Sequence, residues 1–80
     1  MDRQKCLNEV TTIFKDILDN DSLVLADATS ADDVEEWDSL THIQLVVSLE
    51  KHFKIRFAAK EIQGWNNVGE MIDSIISKLG

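Results

Sequence analysis

Eighty residues with fifteen acids, eight bases, a net charge of −7 and 44% apolar content point to one small domain with a thin core and no deep cleft. The acidic balance repels nucleic acid and anionic lipid, no apolar run is long enough to cross a bilayer, and the N-terminus lacks the apolar core of a signal peptide. The expectation is therefore a cytoplasmic monomer, residues 1–80 forming a single domain, with neither nucleic acid nor membrane as partner.

Absence of Pro and only three Gly favour helices throughout. Apolar residues at 6, 7, 10, 13, 14, 17 and 18 follow helical spacing, predicting a first helix over 2–18 with Asp2 as its N-cap. Cys6, the only cysteine, excludes an internal disulfide and makes no zinc site by itself; it reads as a small core-edge residue. Residues 19–37 lose the period and are rich in Asp, Ser and Thr, which predicts a long loop. Within it Leu23, Val24 and Leu25 are expected to pin the chain to the core, and Ser30 to Asp33 to form a short turn. A second helix is predicted over 39–53 with Asp38 as N-cap, a third, brief one near 58–63 ended by Gly64, and a last one opened by a capping box in Asn67-Val-Gly-Glu70. On that last helix Val68, Met71, Ile72, Ile75, Ile76 and Leu79 share one stripe. The fold class is thus all-α, a small four-helix bundle with three longer helices and one short.

Charge is distributed unevenly. Residues 1–38 hold eleven acids against three bases, whereas residues 39–80 hold four acids against five bases. Such an acidic half speeds encounter with basic protein surfaces; a solvated loop that only aids solubility would look the same.

The second helix is more apolar than a surface helix needs to be. At about 100° per residue, Leu45, Val46, Leu49 and Phe53 fall on one side and Leu40, Ile43 and Val47 on the next, together spanning roughly 220°, about twice the usual buried arc. The first group is core. The second is covered only if the short third helix lies over it: Ile43 and Val47 either pack there or, with Leu40 and flanked by Glu50, form a docking patch for partners. Leu40, in the first turn, is the strongest candidate for exposure.

Asp38 at the N-cap explains itself as a cap. Ser39 then occupies the first turn, where backbone N–H groups and the positive end of the helix dipole gather, so that a phosphate on its hydroxyl would be favoured.

Asp38-Ser39-Leu40, with Trp37 before it and Ile43, Leu45, Leu49 and Phe53 after it, resembles the attachment motif of the acyl carrier protein family, and the likeness extends over the whole chain, from first helix and acidic loop to the final Asn-Val-Gly-Glu. The resemblance implies that Ser39 bears the 4′-phosphopantetheine of coenzyme A, placed there by a separate magnesium-dependent phosphopantetheinyl transferase, with Asp38 and Leu40 completing the motif. It further implies a protein that catalyses nothing itself. Its tethered thiol would carry acyl groups as thioesters from a loading enzyme to a downstream synthase or transferase, in fatty acid, polyketide or other secondary-metabolite synthesis. Aminoacyl, peptidyl or D-alanyl cargo is the alternative. The resemblance also implies a core that can fold round an attached chain, with Ile43, Val46 and Ile72 as candidate lining.

The sequence departs from the fatty-acid-synthesis carriers in its second helix, which offers Thr41, His42, Gln44 and Lys51 with only Glu50 acidic, and is followed by Lys54, Arg56 and Lys60. That favours stand-alone carriers of secondary-metabolite, cell-envelope or aminoacyl pathways. Two other readings compete. A Ser39–His42 hydrolytic dyad lacks an oxyanion hole and a third orienting group. A plain acidic helical interaction domain would use Asp38 only as a cap. Metal binding by Cys6, His42 and His52 is disfavoured, since the two histidines point to different sides of the helix.

Overall fold

The stretches of helical periodicity become α1 (Arg3–Leu18), α2 (Ser39–Phe53), α3 (Ala59–Gly64) and α4 (Val68–Leu79) in the computed structural model, which describes residues 2–79. A single 3-10 turn at Ala31–Asp33 interrupts the long loop. None of these helices is long and apolar enough to cross a membrane. Asp2 caps α1 by accepting the Lys5 amide at 2.7 Å. Helix α1 packs against both α2 and α4. Because Phe14 meets Trp37 edge-on while Glu9 reaches His52 at 2.7 Å, α1 and α2 run antiparallel.

The inward stripes meet in one cluster built on Val10, Phe14, Leu45, Leu49, Met71, Ile72 and Ile75. Cys6 is not at its edge but fully enclosed, and burial pushes its thiol pKa up. In the loop, Leu23 and Leu25 are buried but Val24 is 83% exposed. The segment is extended there, so neighbouring side chains point to opposite sides and only alternate ones can anchor it. Val34 and Trp37 anchor its second half.

The middle of the loop is fastened by hydrogen bonds that periodicity does not reveal. Two orphan amides at the start of α4 are satisfied by loop carbonyls, Val68 N–H by Thr29 at 2.8 Å and Gly69 N–H by Asp27 at 2.9 Å. Gly69 suits this approach: a Cβ there would stand 3.0 Å from the Asp27 carbonyl oxygen, so the loop would have to give way. Arg3 clasps the same junction, reaching the carboxylates of Asp27 and Asp73 and the carbonyl of Gly69. The expected capping box is half present. Asn67 accepts the Glu70 amide at 2.9 Å, but the Glu70 carboxylate turns to the backbone and side-chain amides of Asn66, each at 3.4 Å.

Gly64 proves to be the last residue of α3, with Trp65 extended after it. The left-handed helix ends belong instead to Asp19 (φ 53°) and Lys54 (φ 57°). Helix α3 is held toward α4: Lys78 pairs with Glu61 at 2.8 Å, and Trp65 donates to Ser74 Oγ at 2.9 Å. Six residues anchored in that direction leave the outer face of α2 bare. Leu40, Ile43 and Val47 are 67%, 62% and 43% exposed. Of the two readings of Ile43 and Val47, packing under α3 is thereby corrected: the six-residue helix, tied to α4, does not cover them.

Candidate functional site

The tip of α2 is organised by Asp38. Its backbone is extended, and its Oδ1 accepts the amides of both Leu40 and Thr41 at 2.9 Å, as expected of an N-cap. The amide bond from Thr41, the largest contribution, holds the Asp38 carboxyl below the usual carboxylate range. Thr41 answers by accepting the Asp38 amide at 2.8 Å while its hydroxyl donates to the Glu36 carbonyl at 3.0 Å. The His42 amide bonds the Asp38 carbonyl at 2.8 Å. This corrects one part of the sequence argument. The first-turn amides are not waiting for a phosphate: those of residues 40 to 42 are already engaged, and Asp38 sits in the anion seat at the positive end of the dipole.

Ser39 is the part of the tip that this network does not use. It is exposed, and the hydrogen bonds among the described residues around it pass between Asp38, Leu40, Thr41 and Glu36 without its hydroxyl. Beside it opens a cleft of about 390 Å³, walled by Ser30, Asp32, Trp37, His42, Trp65 and Asn66 together with Ser39 itself. A large group joined at this oxygen fits sterically, since the hydroxyl is exposed and the cleft lies beside it, while Asp32 and Asp38 on the rim turn its charge outward to solvent rather than into the cleft. The arrangement suits a hydroxyl presented to another protein's catalytic machinery.

It does not suit a hydrolase. His42 Nδ1 accepts the Trp37 Nε1–H bond at 3.1 Å and Nε2 faces the Ile62 carbonyl at 3.4 Å. Both ring nitrogens are complementary to these partners only if Nε2 carries the proton. Neither is left to take a proton from Ser39. The ring also lies nearly parallel to Trp37 and edge-on to Trp65, centroids 6.0 Å apart in each case. His42 is thus an interior strut that links the long loop, α2 and α3. Its second aromatic neighbour, Trp65, is not legible in the spacing, because a residue in the link after α3 has no periodicity to assign its face.

Other named residues separate in space. Leu40, Ile43 and Val47 form a continuous exposed stripe below Ser39. Glu50 flanks it, half-exposed, and one oxygen of its carboxylate accepts the Phe57 amide at 2.8 Å, tying the α2–α3 link to α2. Val46 is buried outside the main cluster, Ile72 is fully enclosed and Ile43 is at the surface. The three do not line one chamber as the protein stands. His52 pairs across to Glu9, far from His42.

Comparison with known proteins agrees with this geometry. The family described as "Phosphopantetheine attachment site" matches residues 8–75. Among solved structures, a holo acyl carrier protein from Geobacter metallireducens superposes with a TM-score of 0.86 at 49% identity, covering 91% of this chain and 84% of that one. A comparison with curated proteins returned no match.

Proposed function

The chain belongs to the phosphopantetheine attachment family and is a carrier, not an enzyme; from that premise we propose that Ser39 is the residue that holds the cofactor. The single observation that supports this is the exposed, unengaged Ser39 hydroxyl at the head of α2, with an open cleft next to it. Bound there, phosphopantetheine supplies a thiol at the end of a flexible tether, on which acyl groups travel as thioesters.

The chain's own residues do three things. Asp38 and Thr41 lock the first turn, so that the Ser39 hydroxyl projects from a rigid frame into a transferase's active site. Trp37, His42 and Trp65 brace the loop and α3 against that turn. The stripe Leu40, Ile43, Val47 gives partner enzymes an apolar surface continuous with the attachment point. The hydroxyl needs no base of its own, because the partner transferase provides one.

On pathway, α2 offers Thr41, His42, Gln44 and Lys51 with only Glu50 acidic, unlike the more acidic second helix that the resemblance implies for fatty-acid-synthesis carriers. This supports a carrier serving secondary-metabolite or cell-envelope enzymes that read apolar and cationic features.

The test is direct. Incubated with coenzyme A, magnesium and a broad-specificity phosphopantetheinyl transferase, the intact protein gains the mass of the arm and Ser39→Ala does not. A thiol count gives an independent reading: Cys6 is enclosed with its pKa raised, so the folded apo-protein reacts slowly with Ellman's reagent and the loaded one exposes one fast thiol. Loading that persists in Ser39→Ala, or wild-type protein that stays bare, overturns the assignment.

A further inference from the structure

Helix α2 ends in a feature that attachment at Ser39 does not call for. Between Lys51 and Lys60 the chain carries four bases and no acid, in a protein whose net charge is −7. None of the ion pairs among the described residues involves Lys51, Lys54, Arg56 or Lys60. Lys51, Lys54 and Arg56, all exposed, surround a groove of about 520 Å³ whose apolar wall is Val47 and Ile55. Glu50, the acid on this groove, is held by the Phe57 amide.

The helix dipole accounts for only part of this. A cation in the last turn is favoured by the carbonyl end of the helix, which covers Lys51. Arg56 lies beyond the helix. Lys54 is the left-handed residue that ends it, φ 57°, a position where Gly is favoured and a residue with a Cβ is strained. Asp19 ends α1 in the same conformation, a region Asp tolerates better than Lys. A lysine at a left-handed position that favours glycine, beside two further cations that make no ion pair among the described residues and an apolar wall, has the chemistry of a recognition surface.

We propose that the foot of α2, Val47, Lys51, Lys54, Ile55 and Arg56, is a docking surface for a protein partner that presents carboxylates around an apolar side chain. Charge complementarity selects this occupant: cations on the rim and aliphatic carbons in the wall match an acidic, leucine-bearing helix. The exposed stripe Leu40, Ile43, Val47 leads from Ser39 into this groove along the roughly 20 Å length of α2. A partner lying along the helix thereby touches both. The proposal goes beyond the carrier reading, since the groove is complete without any group on Ser39.

The experiment uses isotope-labelled full-length Ser39→Ala protein, so that its outcome is independent of loading. It is titrated with two synthetic helical peptides sharing one leucine face, flanked by glutamates in one and by lysines in the other, and with phosphatidylglycerol vesicles. The glutamate peptide is expected to shift the amide signals of residues 47, 51, 54, 55 and 56, to bind about tenfold more tightly than the lysine peptide, and to weaken as salt is raised. The combined Lys51→Glu, Lys54→Glu, Arg56→Glu variant is expected to reverse that preference with helicity unchanged. Lys54→Gly is expected to raise Tm while weakening the glutamate peptide several-fold, a pairing that a purely structural lysine would not produce. Equal or tighter binding of the lysine peptide, shifts confined to the acidic loop, tighter binding of the vesicles than of the glutamate peptide, or self-association abolished by the charge reversal would each overturn it.

Discussion

Helices α2 and α4 are both rich in aliphatic residues, yet the bundle treats them differently. On α4 the apolar residues form one stripe, and Val68, Met71, Ile72 and Ile75 along it are fully enclosed. On α2, Leu45, Val46, Leu49 and Phe53 are buried while Leu40, Ile43 and Val47 are left in solvent. The difference is one of coverage. Helix α4 packs with its polar side outward, whereas α2 has a second apolar side and only a six-residue helix near it. An apolar arc wider than the fold can bury marks surface available to partners.

The largest test of that contrast is a matched pair. Ile72→Ala removes a fully enclosed side chain and is expected to cost about 2–5 kcal/mol, enough to leave so small a domain marginal. Ile43→Ala, at a position 62% exposed, is expected to change stability by less than about 0.5 kcal/mol while impairing partner turnover. Denaturant melts decide it, and equal losses would show Ile43 to be core.

Next in size is the strut between the regions. His42→Leu keeps the volume but leaves the buried Trp37 N–H without its acceptor, an expected loss of about 1–3 kcal/mol. His42→Gln, which can still accept that bond, should recover part of it; no difference between the two variants would make the hydrogen bond irrelevant.

At the loop junction two effects oppose each other. Gly69→Ala gains about 1 kcal/mol of helix propensity but forces a Cβ to 3.0 Å from a backbone oxygen that is itself hydrogen-bonded there. Overpacking of that kind costs about 1–3 kcal/mol. The expected net is a lower Tm, with amide exchange rising at residues 68 and 69; a raised Tm would mean the loop yields freely.

The smallest expected effect is with pH. Asp38 is held below its ordinary 3.8 chiefly by the Thr41 amide, and Glu61 below 4.5 chiefly by the Ala58 amide, with Lys78 adding to it. Carboxyls whose folded pKa is depressed contribute stability above their unfolded pKa and lose it as pH falls through the folded value. The contribution of these two carboxyls should therefore be level from about pH 5 upward and decline below their ordinary values, and the acid-side decline should shrink in Asp38→Asn. An unchanged acid limb in that variant would remove the cap from the account.

Much of this architecture was legible in the chain. The bounds of α1 and α2 and their caps Asp2 and Asp38 follow from local rules, in which an Asx side chain meets amides two or three residues ahead. The place of Ser39 in the first turn follows with them. The Ala31–Asp33 turn was equally local. What periodicity does not reveal is how the loop and links settle: Val24 faces outward, Cys6 is central rather than peripheral, and the Glu70 and Glu50 carboxylates take the amides of Asn66 and Phe57, four and seven residues away. Trp65 escaped notice altogether, because its partners His42 and Phe57 come from other segments.

By itself, then, the order of residues determined four helices, their caps, an acidic approach to α2 and a hydroxyl in its first turn, since each rests on hydrogen bonds and periodicities spanning a few residues. Only the packed molecule decided which side of α2 stays bare and that the cations at its foot surround an apolar groove. The first of these turns on how far a six-residue helix reaches and on its ties to Lys78 and Ser74. Local periodicity carries no information about that.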